Sequence, residues 1–97
     1  MLKHIVCWKI KDQADKKENI EKMKEKLEAL PEKISEIVEF EVGINIDPSD
    51  AAYDISLYSS FKDQEALATY QKHPEHVEVG KLIKEITESR VVSDYII

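Results

Sequence analysis

Residues 38–61 read VEFEVGINIDPSDAAYDISLYSSF, and the fold turns on this stretch. Before the turn signal Asp47-Pro48-Ser49-Asp50, the residues Val38, Phe40, Val42, Ile44 and Ile46 fall on one side. Glu39, Glu41, Gly43 and Asn45 fall on the other. After it, Tyr53, Ile55, Leu57, Ser59 and Phe61 alternate with Asp54, Ser56, Tyr58 and Ser60. Successive side chains of an extended chain leave opposite faces, so a period of two marks a half-buried strand. Two such strands with a short polar connection predict an antiparallel pair.

Working outward towards the N-terminus, the period changes. Between Asp15 and Leu30, the residues Ile20, Met23, Leu27 and Leu30 lie on one stripe of an amphipathic helix, and Lys and Glu fill the rest. Asp15 is a candidate N-cap with Glu18 in capping-box position. Pro31 ends the helix or opens a short turn carrying Ile34 and Ile37. Before that helix, LKHIVCWKI (residues 2–10) is rich in β-branched and aromatic residues and reads as a strand. Leu2, His4, Val6, Trp8 and Ile10 share one face, and Lys3, Ile5, Cys7 and Lys9 the other. Both faces are apolar at the middle, which predicts a central strand covered on both sides.

Outward in the other direction, Ser60 followed by Asp63 reads as a helix start, with Asp63 itself a candidate cap, and Ala66, Leu67 and Tyr70 form the buried stripe of a short helix. His73-Pro74 stops it, because a residue before proline is pushed out of the helical region. A second helix starts at Pro74 or Glu75, with His76, Val79, Ile83 and Ile86 on one face. Val91–Ile97 reads as a last strand, tied into the sheet.

Strand, helix, strand, strand, helix, strand is the split βαβ order of an α+β, ferredoxin-like (βαββαβ) sandwich. It predicts a four-stranded antiparallel sheet with one layer of helices on one face. The chain has 97 residues, which fits a single domain, 1–97. A domain of this size buries about 60–65% of the surface its unfolded chain exposes. One cysteine leaves no internal disulfide to help, and Cys7 reads as a reduced, buried small hydrophobe. The open sheet face is partly apolar, so a homodimer through that face, closing a dimeric α+β barrel, is the expected partner arrangement. Fourteen Lys/Arg against twenty Asp/Glu give a net charge of −6, which argues against nucleic acid and against an anionic membrane surface. The longest apolar run is Ile5–Trp8, and Lys3, His4 and Lys9 leave no room for a signal-peptide core. A cytoplasmic protein is expected.

With only Gly43 and Gly80, the chain has no phosphate loop or dinucleotide fingerprint, and it lacks a serine-hydrolase elbow. Histidine, tyrosine and carboxylate remain. His4 sits in an apolar strand, Tyr70 on a buried helical stripe, and His73 and His76 at a helix junction. If the His4 face lies under the helices, these groups converge between sheet and helices. An imidazole exchanges a proton near neutral pH, and a phenol donates to a developing oxyanion. The pairing suits substrates that enolise. Against this stands the plainer reading: His4 and Tyr70 as core residues, and His73 and His76 as capping and packing groups. His73 and His76 with Glu75 or Glu78 lack a third metal ligand at motif spacing.

Lys3-His4-Ile5-Val6, Lys9 after an aromatic residue, Tyr53-Asp54-Ile55, Phe61 and the run Tyr70-Gln71-Lys72-His73-Pro74-Glu75-His76 carry a resemblance across nearly the whole chain. They resemble the stress-responsive α/β-barrel domain family, called Dabb. The resemblance implies ferredoxin-like dimers whose sheets face each other. A plant member is a polyketide cyclase whose catalytic residues correspond to His4, Tyr70 and His76, with His76 as general base. A further pocket histidine of that enzyme falls at Ile55, which removes a polar contact. Some members bind magnesium, but no ligand set is evident in this sequence. The expected site is therefore His4, Tyr70 and His76 as acid–base groups, with Trp8, Ile55, Leu67, His73 and Ile83 against a small organic molecule and no cofactor. The alternative is a non-catalytic dimeric binding or stress module in which the His/Tyr cluster is structural. A third reading is a monooxygenase-like α+β barrel with a junction histidine as haem ligand.

Overall fold

The computed structural model describes residues 1–97. Strand β1 (Leu2–Ile10) is followed by helix α1 (Lys16–Glu28) and a single 3₁₀ turn (Leu30–Glu32). Strands β2 (Glu39–Ile44) and β3 (Ile55–Phe61) come next, then helices α2 (Gln64–Lys72) and α3 (Pro74–Ile86) and strand β4 (Thr87–Ile96). The sheet runs β2-β3-β1-β4, antiparallel throughout. This is the ferredoxin-like sandwich that the element order predicts, with β1 central.

The alternation of β1 is realised in full. Leu2, His4, Val6, Trp8 and Ile10 are buried under the helices, while Lys3, Ile5, Cys7 and Lys9 are half-buried on the uncovered face. Cys7 is therefore not a core residue: its Sγ lies 3.3 Å from Ser56 Oγ on the open face. The helix-side core joins Met23, Leu27, Leu30 and Ile34 to Ile55, Leu57, Phe61 and Tyr70. Fifteen apolar side chains form this one cluster, so the periodic stripes read from the sequence meet in a single core.

Three further local expectations are corrected. The side chain of Asp15 makes no capping bond, because its own backbone is already turned towards helix (φ −97°, ψ 19°). Asp63, in extended backbone, does cap, accepting from the Ala66 amide at 2.9 Å. The strands of the central hairpin are shorter than their alternation. Ile46 is almost fully exposed, and the connection is held by Asn45 Nδ2 donating to the Tyr53 carbonyl and by the Asn45 amide donating to Asp54. β4 starts at Thr87 rather than Val91, directly after α3. The register shift between Lys9 and Ile10 absorbs the extra residue there, which hides the strand start from the pattern.

The chain ends are tied as predicted: the Ile97 amide donates to the Met1 carbonyl at 3.1 Å. No helix is long and apolar enough to cross a membrane.

Candidate functional site

α2 and α3 meet at His73, and the junction positions the site. His73 Nδ1 accepts from the Glu75 amide at 3.1 Å, capping α3, and Pro74 occupies the first helical position. This cap turns α3 so that His76 comes back over Tyr70, the last core residue of α2. Their ring centroids are 4.5 Å apart. Tyr70 is fully buried, packed on Phe61 (4.9 Å) and edge-on to Phe40 and His4 (6.2 and 6.4 Å). His4 comes from the middle of β1, so three separate elements deliver the three rings.

Each ring has a distinct environment. Nδ1 of His76 donates to the Gln71 carbonyl at 3.1 Å, leaving the Nε2 lone pair free. Burial holds its pKa below the ordinary value, with the charges of His4, Arg90 and His73 acting in the same direction; the Gln71 bond opposes them. His76 is thus a neutral base at pH 7. Burial drives the Tyr70 phenol well above its ordinary pKa, so it keeps its proton. Its hydroxyl is buried with no hydrogen-bond partner, the one such side-chain atom in the chain. An unmet buried hydroxyl costs about 1–3 kcal/mol. His4 is 6% exposed, and its Nδ1 lies 2.5 Å from Asp94 Oδ1, its cross-strand neighbour on β4. The carboxylate accepts there and fixes the ring.

His4, Tyr70 and His76 line one cavity of about 100 Å³, with Trp8 and Ile83 among its walls. Trp8, His76, Ile83 and Arg90 also line a more open cleft of about 380 Å³ outside it. The two are neighbouring parts of one depression between α3 and the β1–β4 half of the sheet. Of the expected contact residues, Trp8 and Ile83 are in this lining. Ile55 and Leu67 lie in the packed core, and His73 is occupied as the α3 cap. Nowhere do three His, Cys, Asp or Glu side chains gather as a metal-ligand set.

Asp94, Gln71 and Arg90 belong to the site and were not singled out from the sequence. Asp94 was within reach: the alternation of β1 and of the last strand, set in antiparallel register, pairs it with His4. Gln71 acts through its backbone carbonyl, which no residue type reveals. Arg90 lies on the part of β4 that the pattern missed.

The family model for the stress responsive A/B barrel domain matches residues 2–97. Among solved structures, a dimeric protein of unknown function with a ferredoxin-like fold from Bacteroides fragilis is 41% identical (TM-score 0.88; 99% of this chain, 95% of that one). A dimeric ferredoxin-like protein of unknown function from Thermobifida fusca is 21% identical (TM-score 0.88; 99% and 90%). Hydroxynitrile lyase from Passiflora edulis is 23% identical (TM-score 0.86; 99% and 92%), a likeness of fold. No curated protein matches the chain.

Proposed function

The chain belongs to the stress-responsive A/B barrel domain family, and from that premise we propose that it is a homodimer whose His4–Tyr70–His76 cavity binds a small carbonyl compound and moves a proton next to the carbonyl. The observation that carries this reading is the Tyr70 hydroxyl. It is buried, protonated and unpartnered beside a neutral imidazole. A substrate carbonyl oxygen would accept from it, and the same bond would strengthen as the oxygen gains enolate charge. His76 Nε2 would take the α-proton and return it to the product. His4, held by Asp94, would orient the substrate from the strand side. The cavity takes the reacting end of such a molecule, and the outer cleft takes the remainder.

Self-association is supported by the dimeric description of the Bacteroides fragilis relative and by the half-exposed Ile5, Cys7 and Tyr58 on the uncovered sheet face. Light scattering should give twice the chain mass, and Ile5→Asp should give the monomer.

One observation favours the structural alternative: Nδ1 of each histidine is already engaged, by Asp94, the Glu75 amide and the Gln71 carbonyl. Deuterium exchange into the methyl group of acetophenone, followed by proton NMR, separates the two. The enzyme reading expects exchange above the buffer rate that His76→Gln abolishes with the fold intact. Exchange at the buffer rate, with His76→Gln only lowering stability by about 1–3 kcal/mol, would establish the structural role instead.

A further inference from the structure

Arg90 is the one arginine among fourteen basic residues. It sits on β4 directly across from Trp8, so it shares the helix-side face of the sheet. It lines both the inner cavity and the outer cleft, and Lys84 of α3 joins it in the cleft. Neither side chain takes part in an ion pair within the chain. That is notable where acidic residues outnumber basic ones by six and Glu85 and Glu88 are close in sequence. No Asp or Glu lines either part of the depression. The mouth is therefore cationic, the interior walls are mainly apolar around the His4, Tyr70 and His76 groups, and the surrounding chain is acidic.

We propose that the ligand of this cavity carries a carboxylate, bound at the mouth by Arg90 with Lys84 in support, while its carbonyl end enters the pocket of Tyr70 and His76. The inference rests on the reading of the cavity as a substrate site, and it adds the substrate class: a small keto acid or acyl-aryl acid with an apolar body. A guanidinium presents a planar pair of N–H donors that matches a carboxylate in two parallel bonds, which a lysine cannot do. A cationic spot in a low-dielectric cleft also concentrates anions from solution. Gly80 borders the same mouth, and a Cβ built there meets nothing within 4 Å, so helix α3 leaves room for the carboxylate end. Arg90 is one of the charges that keep His76 neutral. A bound carboxylate offsets that charge, so ligand binding itself raises the basicity of His76.

The test uses two ligands of one shape, 4-acetylbenzoate and 4-acetylbenzamide, titrated calorimetrically into the intact protein. Each has an acetyl group that can enolise, and only the first is an anion. The acid should bind at least about tenfold more tightly than the amide, as charge-assisted bonds require. Arg90→Leu should bring that ratio close to one, and Arg90→Lys should leave an intermediate ratio. Arg90 is exposed, so these variants should melt with the parent. Equal affinities in the parent, a preference that survives Arg90→Leu, or no binding of either ligand would overturn the proposal. Acetyl-group exchange keeps the underlying reading separate. If His76→Gln abolishes exchange but the affinities are equal, only the carboxylate assignment fails. If the acid is preferred through Arg90 yet exchange is unaffected by His76→Gln, the proton-transfer role fails and the anion site stands.

Discussion

β3 and β4 are the two neighbours of β1, and their surroundings differ sharply. On β3, Ile55, Leu57, Ser59 and Phe61 are all buried beneath the helices. On β4, the equivalent helix-side positions Arg90, Val92, Asp94 and Ile96 are exposed. The same backbone ladder therefore supports a sealed half and an open half. The sealed half supplies stability. The open half leaves a depression lined by His4, His76 and Arg90, and Tyr70 sits at its boundary. The contrast shows why a catalytic reading is physically reasonable in so small a domain: packing is spent on one side and withheld on the other.

Core truncation offers the strongest test of that contrast. Phe61→Ala on β3 should destabilise the fold by about 3–5 kcal/mol, since it removes a fully buried ring from the aromatic cluster. Val92→Ala on β4 should cost less than about 1 kcal/mol. Urea titrations of the two variants compare the halves directly, and similar losses would erase the distinction.

At the boundary, Tyr70→Phe removes a hydroxyl that bonds to nothing. Stability should hold or rise by up to about 1 kcal/mol, while proton exchange should fall by about 10²-fold or more. A large loss of stability would move Tyr70 to the structural side.

Gly80→Ala should raise stability by about 0.5–1 kcal/mol, because glycine inside a helix is entropically costly and nothing opposes the new methyl group. The same change narrows the mouth and should weaken binding of 4-acetylbenzoate. A stability gain without that loss would show the mouth to be wider than the ligand.

The smallest effect is with pH. Burial lowers the pKa of His76 in the folded chain below its ordinary 6.5. Below that value the unfolded chain takes up a proton that the folded chain still refuses. Stability should therefore fall as pH drops from 6.5 through the lowered folded value, with no slope from this group above 6.5. His76→Gln should remove that slope in thermal melts recorded across the window. The acid limb of the exchange rate should lie below pH 6.5 for the same reason.

The architecture was legible because it follows from local periods. The alternation of residues 38–61, the stripe Met23–Leu27–Leu30 and the His73-Pro74 break each depend on residues close in sequence, and together they allow few topologies. His4, Tyr70 and His76 were legible as chemical types at spacings that place them on inward faces. Less accessible was the start of β4, where a bulge breaks the alternation, and the failed Asp15 cap, where the backbone rather than the residue type decides. The sequence by itself determined the elements, their order, their inward faces and the histidine and tyrosine side chains that those faces carry. Only the tertiary structure decided that Asp94 holds His4, that Gln71 orients His76, and that Arg90 and Lys84 line a mouth without a carboxylate. Those are contacts between distant segments. They depend on strand register and on how far α3 stands from β4, and neither is set by the periodicity of any one segment.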